Sequence, residues 1–141
     1  MPTAAILPTH TPVLFNQAVL ETAKLLRSGG VAAVPSETVY GLAANAFSPE
    51  AVRGIYRAKG RPSTNPLIVH VATAAMARAC ASDWPKLAEL LARHFWPGPL
   101  TLVVPRSSMI PDIVAAGGLT VGLRWPSHAF FQSLIRECGF P

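Results

Sequence analysis

Apolar residues recur at Phe15, Val19, Ala23 and Leu26, the three- and four-residue spacing of one helix face, and Gly29-Gly30 follows as a stop. The pattern predicts a helix from about Phe15 to Arg27, with residues 1–14 as a lead-in to a domain over residues 15–141. Val31–Val34 is a short, wholly apolar run closed by Pro35 and reads as a buried strand. A second helix opens with three signals together: the Ser48 hydroxyl as cap, Pro49 at the first helical position and Glu50 in the first turn. It is expected to reach about Ala58, with Val52, Ile55 and Tyr56 inward and Arg53 and Arg57 outward. Farther on, Leu67–Val71, Leu100–Val104 and Thr120–Arg124 read as strands and Thr73–Ala81 and Pro85–Phe95 as helices. Ser127 is placed to cap a last helix ending at Gly139. Strands alternating with helices predict an α/β fold: a single domain with a twisted, mixed open sheet flanked by helices. The pattern does not give the strand order.

Composition narrows this picture. A chain of 141 residues suits one domain, and one that is 50% hydrophobic and 13% charged is neither disordered nor fibrous. Its 14 prolines, about twice the usual share, demand many stiff turns. The net charge of +5 favours polyanionic partners such as nucleotides, RNA or pyrophosphate. Cys80 and Cys138 show no C-x-x-C or Cys/His spacing, so neither a zinc site nor a disulfide framework is expected, and a reducing cytoplasm is the expected location. Pro2, Pro8 and Pro12 break up an uncharged start that has neither the basic opening of a signal peptide nor the arginines of a transit peptide. The charge-free stretch Ile113–Leu123 falls well short of the ~20 residues that cross a bilayer, so no membrane association is expected.

Familiar catalytic signatures are missing: the sequence has no G-x-x-x-x-G-K-[ST], G-x-G-x-x-G, H-E-x-x-H or G-x-S-x-G. The four histidines have no metal-ligand spacing, and no protein-held metal is expected. Basic residues do cluster, with Arg53, Arg57, Lys59 and Arg61 close together. Arg53 and Arg57 read as a solvated helix face. Lys59-Gly60-Arg61-Pro62 places two cations on a stiff loop beyond the helix, beside Asn65 held by Pro66. That loop reads equally as a polyphosphate site, where Arg offers a planar fork and Lys a point charge, or as a solvated helix end. His70 by itself reads as a satisfied core histidine, and Ser36-Glu37-Thr38 as a turn where α/β sheets also present ligand loops. Arg124 is sharper. It ends a strand-like run, where a cation needs a carboxylate or phosphate partner, and only seven acidic residues exist to supply one. A ligand carboxylate is the candidate partner.

The segment PSETVYGLAANAFSPEAVRGIYRAKGRPSTNPLIVHV (residues 35–71) resembles the P-T-E-T-V-Y-G-L … K-G-R-P … N-P-L-I-V-H pattern of threonylcarbamoyl-AMP synthases, the YrdC/Sua5 family. WPGPLTLV and the T-V-x-x-R strand from Thr120 to Arg124 match it too, so the resemblance covers residues 15–141 in several separated motifs. It implies a YrdC-like domain that joins L-threonine, bicarbonate and ATP into threonylcarbamoyl-AMP with release of pyrophosphate. Downstream proteins would then transfer the threonylcarbamoyl group to adenosine 37 of tRNA. Carried over by position, the resemblance gives Thr38, His70 and Arg124 as threonine contacts. Arg61, Asn65 and Thr120 become ATP contacts with Lys59 beside the phosphates, and Ser36 and Ser63 are further candidates. No side chain need act as a nucleophile. The implied route is carbamate formation on the threonine amine, then in-line attack on the α-phosphorus, with Mg²⁺ carried by the nucleotide.

Two departures from the family pattern are expected to matter differently. Ser36 stands where the family usually has Thr and keeps the hydroxyl. The family pattern continues into a P-S-A-N-x-S-G-type segment that helps hold the nucleotide, and this sequence stops at Pro141, so the domain is expected to be incomplete at its C-terminus. The alternative reading is a non-catalytic RNA-binding module of the same fold. It would need exposed aromatics among the basic residues, and Phe47 and Tyr56 are the nearest.

Overall fold

Thr11 caps the first helix. In the computed structural model, which describes residues 4–141, its side chain accepts from the Leu14 amide at 3.2 Å and Pro12 fills the first helical position. Helix α1 therefore runs Pro12–Arg27, starting ahead of Phe15 because cap chemistry, not apolar spacing, decides where a helix opens. It stops where Gly29 takes φ +84°. Strand β1 (Ala32–Val34) and β2 (Gly41–Ala43) form an antiparallel pair joined by the loop 35–40. Strand β2 is absent from the hydropathy pattern, since three residues carry too little alternation to be read. Helix α2 (Pro49–Lys59) opens as expected, with Ser48 Oγ accepting from the Ala51 amide at 3.3 Å, and ends at Gly60 in a left-handed conformation, φ +59°.

Strand β3 (Ile68–His70), helix α3 (Ala74–Ala79), helix α4 (Lys86–Phe95), strand β4 (Leu102–Pro105), strand β5 (Thr120–Arg124) and helix α5 (Ala129–Cys138) follow. The second sheet has the order β3-β5-β4, with β3 parallel and β4 antiparallel to β5. The sheet is thus mixed, as expected, but the strands divide into a pair and a triplet. The cap of α5 also differs from expectation. His128 occupies it, its Nδ1 accepting from the Phe130 amide at 3.3 Å, and Ser127 instead directs its own amide to Glu37.

Apolar side chains gather in two clusters. One packs Val69, Leu102, Val104, Val121 and Leu123 of the triplet sheet under Val52 and Tyr56 of α2. The other joins Ala18, Val19, Ala23 and Leu26 of α1 to Phe130, Phe131, Leu134 and Ile135 of α5, with Val34 of β1 between. Complete burial of side chains of this size is worth about 1.5–3 kcal/mol each, which makes these clusters the main source of stability. Among the described residues, no helix is long and apolar enough to cross a membrane.

Candidate functional site

Strand alternation sets the site. Along β5, Val121 and Leu123 are buried, so Thr120, Gly122 and Arg124 face the other way. Along β3, Val69 is buried between Ile68 and His70. The parallel register places His70 beside Arg124 on that second face. The loop 35–40 is folded on Ser36, whose Oγ accepts from the Val39 and Thr38 amides at 3.2 and 3.3 Å and donates to the Val39 carbonyl at 2.6 Å. Thr38 Oγ1 lies 3.1 Å from the same hydroxyl. From the end of α2, the turn at Gly60 carries Lys59 and Arg61 in.

These pieces meet in a cleft of about 300 Å³. Ser36, Thr38, Lys59, Arg61, His70 and Arg124 line it, over an apolar floor from both clusters, including Val52, Val69, Phe131 and Leu134. A cavity of that volume, mostly apolar with a few convergent polar groups, is the usual form of a small-molecule site. Ser63, Asn65 and Thr120 lie outside its lining and are exposed. The carbonyl of Asn65 is taken up by Tyr56 Oη at 2.8 Å and Arg61 Nε at 3.4 Å. Thr120 sits at the far end of β5, opposite Pro105 and roughly 13 Å from Arg124 along the strand.

Arg124 donates from Nε to Thr101 Oγ1 at 2.9 Å, and among the described residues it has no ion-pair partner. Arg61 likewise meets only carbonyls, including that of Pro66 at 3.0 Å. His70 stacks on Phe131, with ring centroids 4.8 Å apart and planes at 30°. Burial, then the nearby Arg124 guanidinium, lowers its pKa to about 4, while Glu37 works in the opposite sense. The imidazole is therefore neutral at pH 7 and offers one donor and one acceptor. Among the described residues, no group of three or more His, Cys, Asp or Glu is arranged to hold a metal ion. The cleft, which Cys138 also lines, can thus take an anionic group at Arg124, polar groups at Thr38 and His70, and phosphates at Lys59 and Arg61.

Three residues around the site drew no notice as contacts from the sequence. Thr101 could have been found from alternation, two positions before the outward Val103. Phe131 on α5 and the Ser127 amide reach the site only through tertiary packing, which leaves no local signal.

Comparison with known proteins gives the family. A family model named for Sua5, YciO and YrdC, and described as telomere recombination, matches residues 24–141. The chain belongs to the Sua5/YciO/YrdC family. It is 48% identical over 113 residues to the threonylcarbamoyl-AMP synthase of Pyrococcus abyssi, covering 80% of this chain and 33% of that protein. It is 47% identical over 124 residues to the synthase of Bacillus subtilis, covering 87% and 36%. The chain spans about a third of the length of these curated relatives. Among solved structures, P. abyssi Sua5 complexed with L-threonine superposes with a TM-score of 0.87 at 44% identity, over 89% of this chain and 37% of that one. Escherichia coli YciO, at 21% identity and a TM-score of 0.79 over 89% and 61%, shares the fold.

Proposed function

We propose that this chain carries the substrate cleft of an L-threonylcarbamoyl-AMP synthase, a nucleotidyltransferase that combines L-threonine, bicarbonate and ATP with release of pyrophosphate. The observation that carries the reading is Arg124: a guanidinium in a largely apolar cleft with no carboxylate partner among the described residues, beside a neutral His70. A charge so placed is stabilised when a ligand carboxylate pairs with it. Thr38 and His70 then receive the remaining polar groups of threonine. Lys59 and Arg61 face the ATP phosphates, whose charge moves toward the departing pyrophosphate, with Asn65 and Thr120 as further ATP contacts and Ser36 and Ser63 as additional candidates. Mg²⁺ carried by the nucleotide would help to neutralise the charge that develops on the phosphates beside Lys59 and Arg61. The names of the Pyrococcus and Bacillus relatives, and the solved Sua5 complex with L-threonine, support this assignment.

The product would pass to proteins that modify adenosine 37 of tRNA, in a reducing cytoplasm where Cys80 and Cys138 stay free. The chemistry requires that the amine add to carbon dioxide with loss of a proton, or to bicarbonate with loss of water, to give a carbamate. A carbamate oxygen then attacks the α-phosphorus in line, breaking its bond to the bridging oxygen that leaves with pyrophosphate. Positioning and charge stabilisation account for the catalysis. The RNA-module alternative has less support: Tyr56 is buried and bonded to backbone carbonyls, and Phe47 packs against the first cluster, so neither is an exposed stacking surface. The deciding experiment is pyrophosphate release from ATP, with and without L-threonine and bicarbonate. Release that needs both establishes the reading. A folded protein that binds RNA in a salt-sensitive manner and ignores threonine overturns it.

A further inference from the structure

Glu37 lies between Ser36 and Thr38 but points away from them. Its Oε2 accepts from the Ser127 amide at 3.1 Å, across 90 positions of sequence. Its Oε1 is buried and meets no donor. The amide it holds belongs to the turn between β5 and α5, three residues past Arg124 and four before Phe131, the ring that stacks on His70. One carboxylate thus joins the loop that carries Thr38 to the turn between Arg124 and the helix supporting His70.

We propose that Glu37 is a positioning residue for the amino-acid half of the cleft: by holding the Ser127 amide it sets the spacing between Thr38 on the loop 35–40 and Arg124 at the end of β5. The inference deepens the synthase reading and rests on it for the identity of the ligand. Three features support it. Among the described residues, the side-chain bonds within the loop 35–40 centre on Ser36, which shapes the turn internally and reaches nothing beyond residue 39. Among the described residues, the Ser127 bond is the long-range hydrogen bond from that loop. The electrostatics agree, since the Glu37 charge and the Arg124 guanidinium act on His70 in opposite senses, which places all three groups within one field.

Side-chain length and acceptor geometry, more than charge, are what this role requires. Glu37→Gln keeps an oxygen at the right reach; Glu37→Asp keeps the charge but shortens the side chain by a methylene, and Glu37→Ala removes the acceptor. The test measures hydrogen exchange at the Ser127 amide and the affinities for L-threonine and ATP by calorimetry. Glu37→Asp and Glu37→Ala are expected to lose protection at Ser127 and to weaken threonine by roughly tenfold or more, leaving ATP within about threefold, because a small misplacement of a substrate-holding group is costly. Glu37→Gln is expected to restore Ser127 protection and most of the threonine affinity. If Glu37→Ala does not fold, the contrast between Glu37→Asp and Glu37→Gln still decides. Unchanged Ser127 protection in Glu37→Asp overturns the proposal, as does equal loss of threonine and ATP affinity. A folded wild-type chain that binds no threonine would instead refute the synthase reading, and the exchange measurement would still decide whether Glu37 holds the loop.

Discussion

On the exposed face of α2, Glu50 stands between Arg53 and Arg57 at 3.0 and 3.1 Å, and both arginines lower its pKa. Glu89 on α4 does the same for Arg78 and Arg93, at 2.7 and 2.9 Å. In the cleft, Arg124 meets a threonine hydroxyl and Arg61 meets carbonyls. Arg53, Arg57, Arg78 and Arg93 take counter-ions from within the chain. Among the described residues, exposed Lys24, Lys86 and Arg136 form no ion pair but are solvated, whereas Arg61 and Arg124 lack one inside the cleft. The contrast separates a solvated helix face from a cleft, in line with the sequence, where Arg53 and Arg57 fall on a helix face and Arg124 ends a strand-like run. It also has an energetic meaning. Exposed pairs contribute little because water already screens them, whereas a partner supplied to a half-buried guanidinium is worth much more.

The comparison breaks first at Arg124. Arg124→Ala is expected to weaken L-threonine by about 100-fold, on the scale of removing one partner of a desolvated charge pair, while thermal unfolding shows the fold intact. Arg57→Ala is the control and should leave threonine affinity unchanged; equal losses would erase the distinction between the two regions. Calorimetry on both variants measures this.

A second test uses pH. His70 has its folded-state pKa lowered from 6.5 to about 4, chiefly by burial. Above pH 6.5 it is neutral in both states and stability is at its full value. As pH falls from 6.5 toward 4 the unfolded chain takes up the proton first, and stability drops by about 1–3 kcal/mol. Urea midpoints at pH 7 and pH 4.5 should therefore separate more in the wild type than in His70→Gln. An equal separation would mean that His70 titrates normally. Next in size, Arg61→Ala should weaken ATP by about tenfold, the scale of one charged hydrogen bond, and leave threonine within about threefold. Parallel losses in both ligands would dissolve the division of the cleft into two halves. The smallest effect belongs to Glu50→Gln, which releases Arg53 and Arg57 into solvent; a thermal melt should show only a slight loss of stability, with both affinities unchanged.

Much of the framework can be read along the chain because its signals are local. Ser48-Pro49-Glu50 opens α2 and Gly60 closes it; Gly139 closes α5 with φ +78°. Alternation marks β5 without error in its bounds. Signals that compete or are too short mislead. Thr11-Pro12 outranks the apolar spacing that begins at Phe15, and His128, one residue beyond Ser127, caps α5 through its Nδ1. Six of the nine candidate residues share the cleft, and what brings them together is the register of β3 on β5 and the return of the loop 35–40.

The sequence by itself determined the α/β class, the main helices and their caps, the apolar runs that become strands, and the family motifs. Each depends on residues within a few positions of one another. Only the tertiary structure decided the β3-β5-β4 order, the division into two sheets, the pairing of His70 with Arg124, and which cations keep a counter-ion within the chain. Those outcomes depend on contacts between distant segments, such as Glu37 with Ser127, and no local pattern encodes the distance between residues that meet only after the chain has folded.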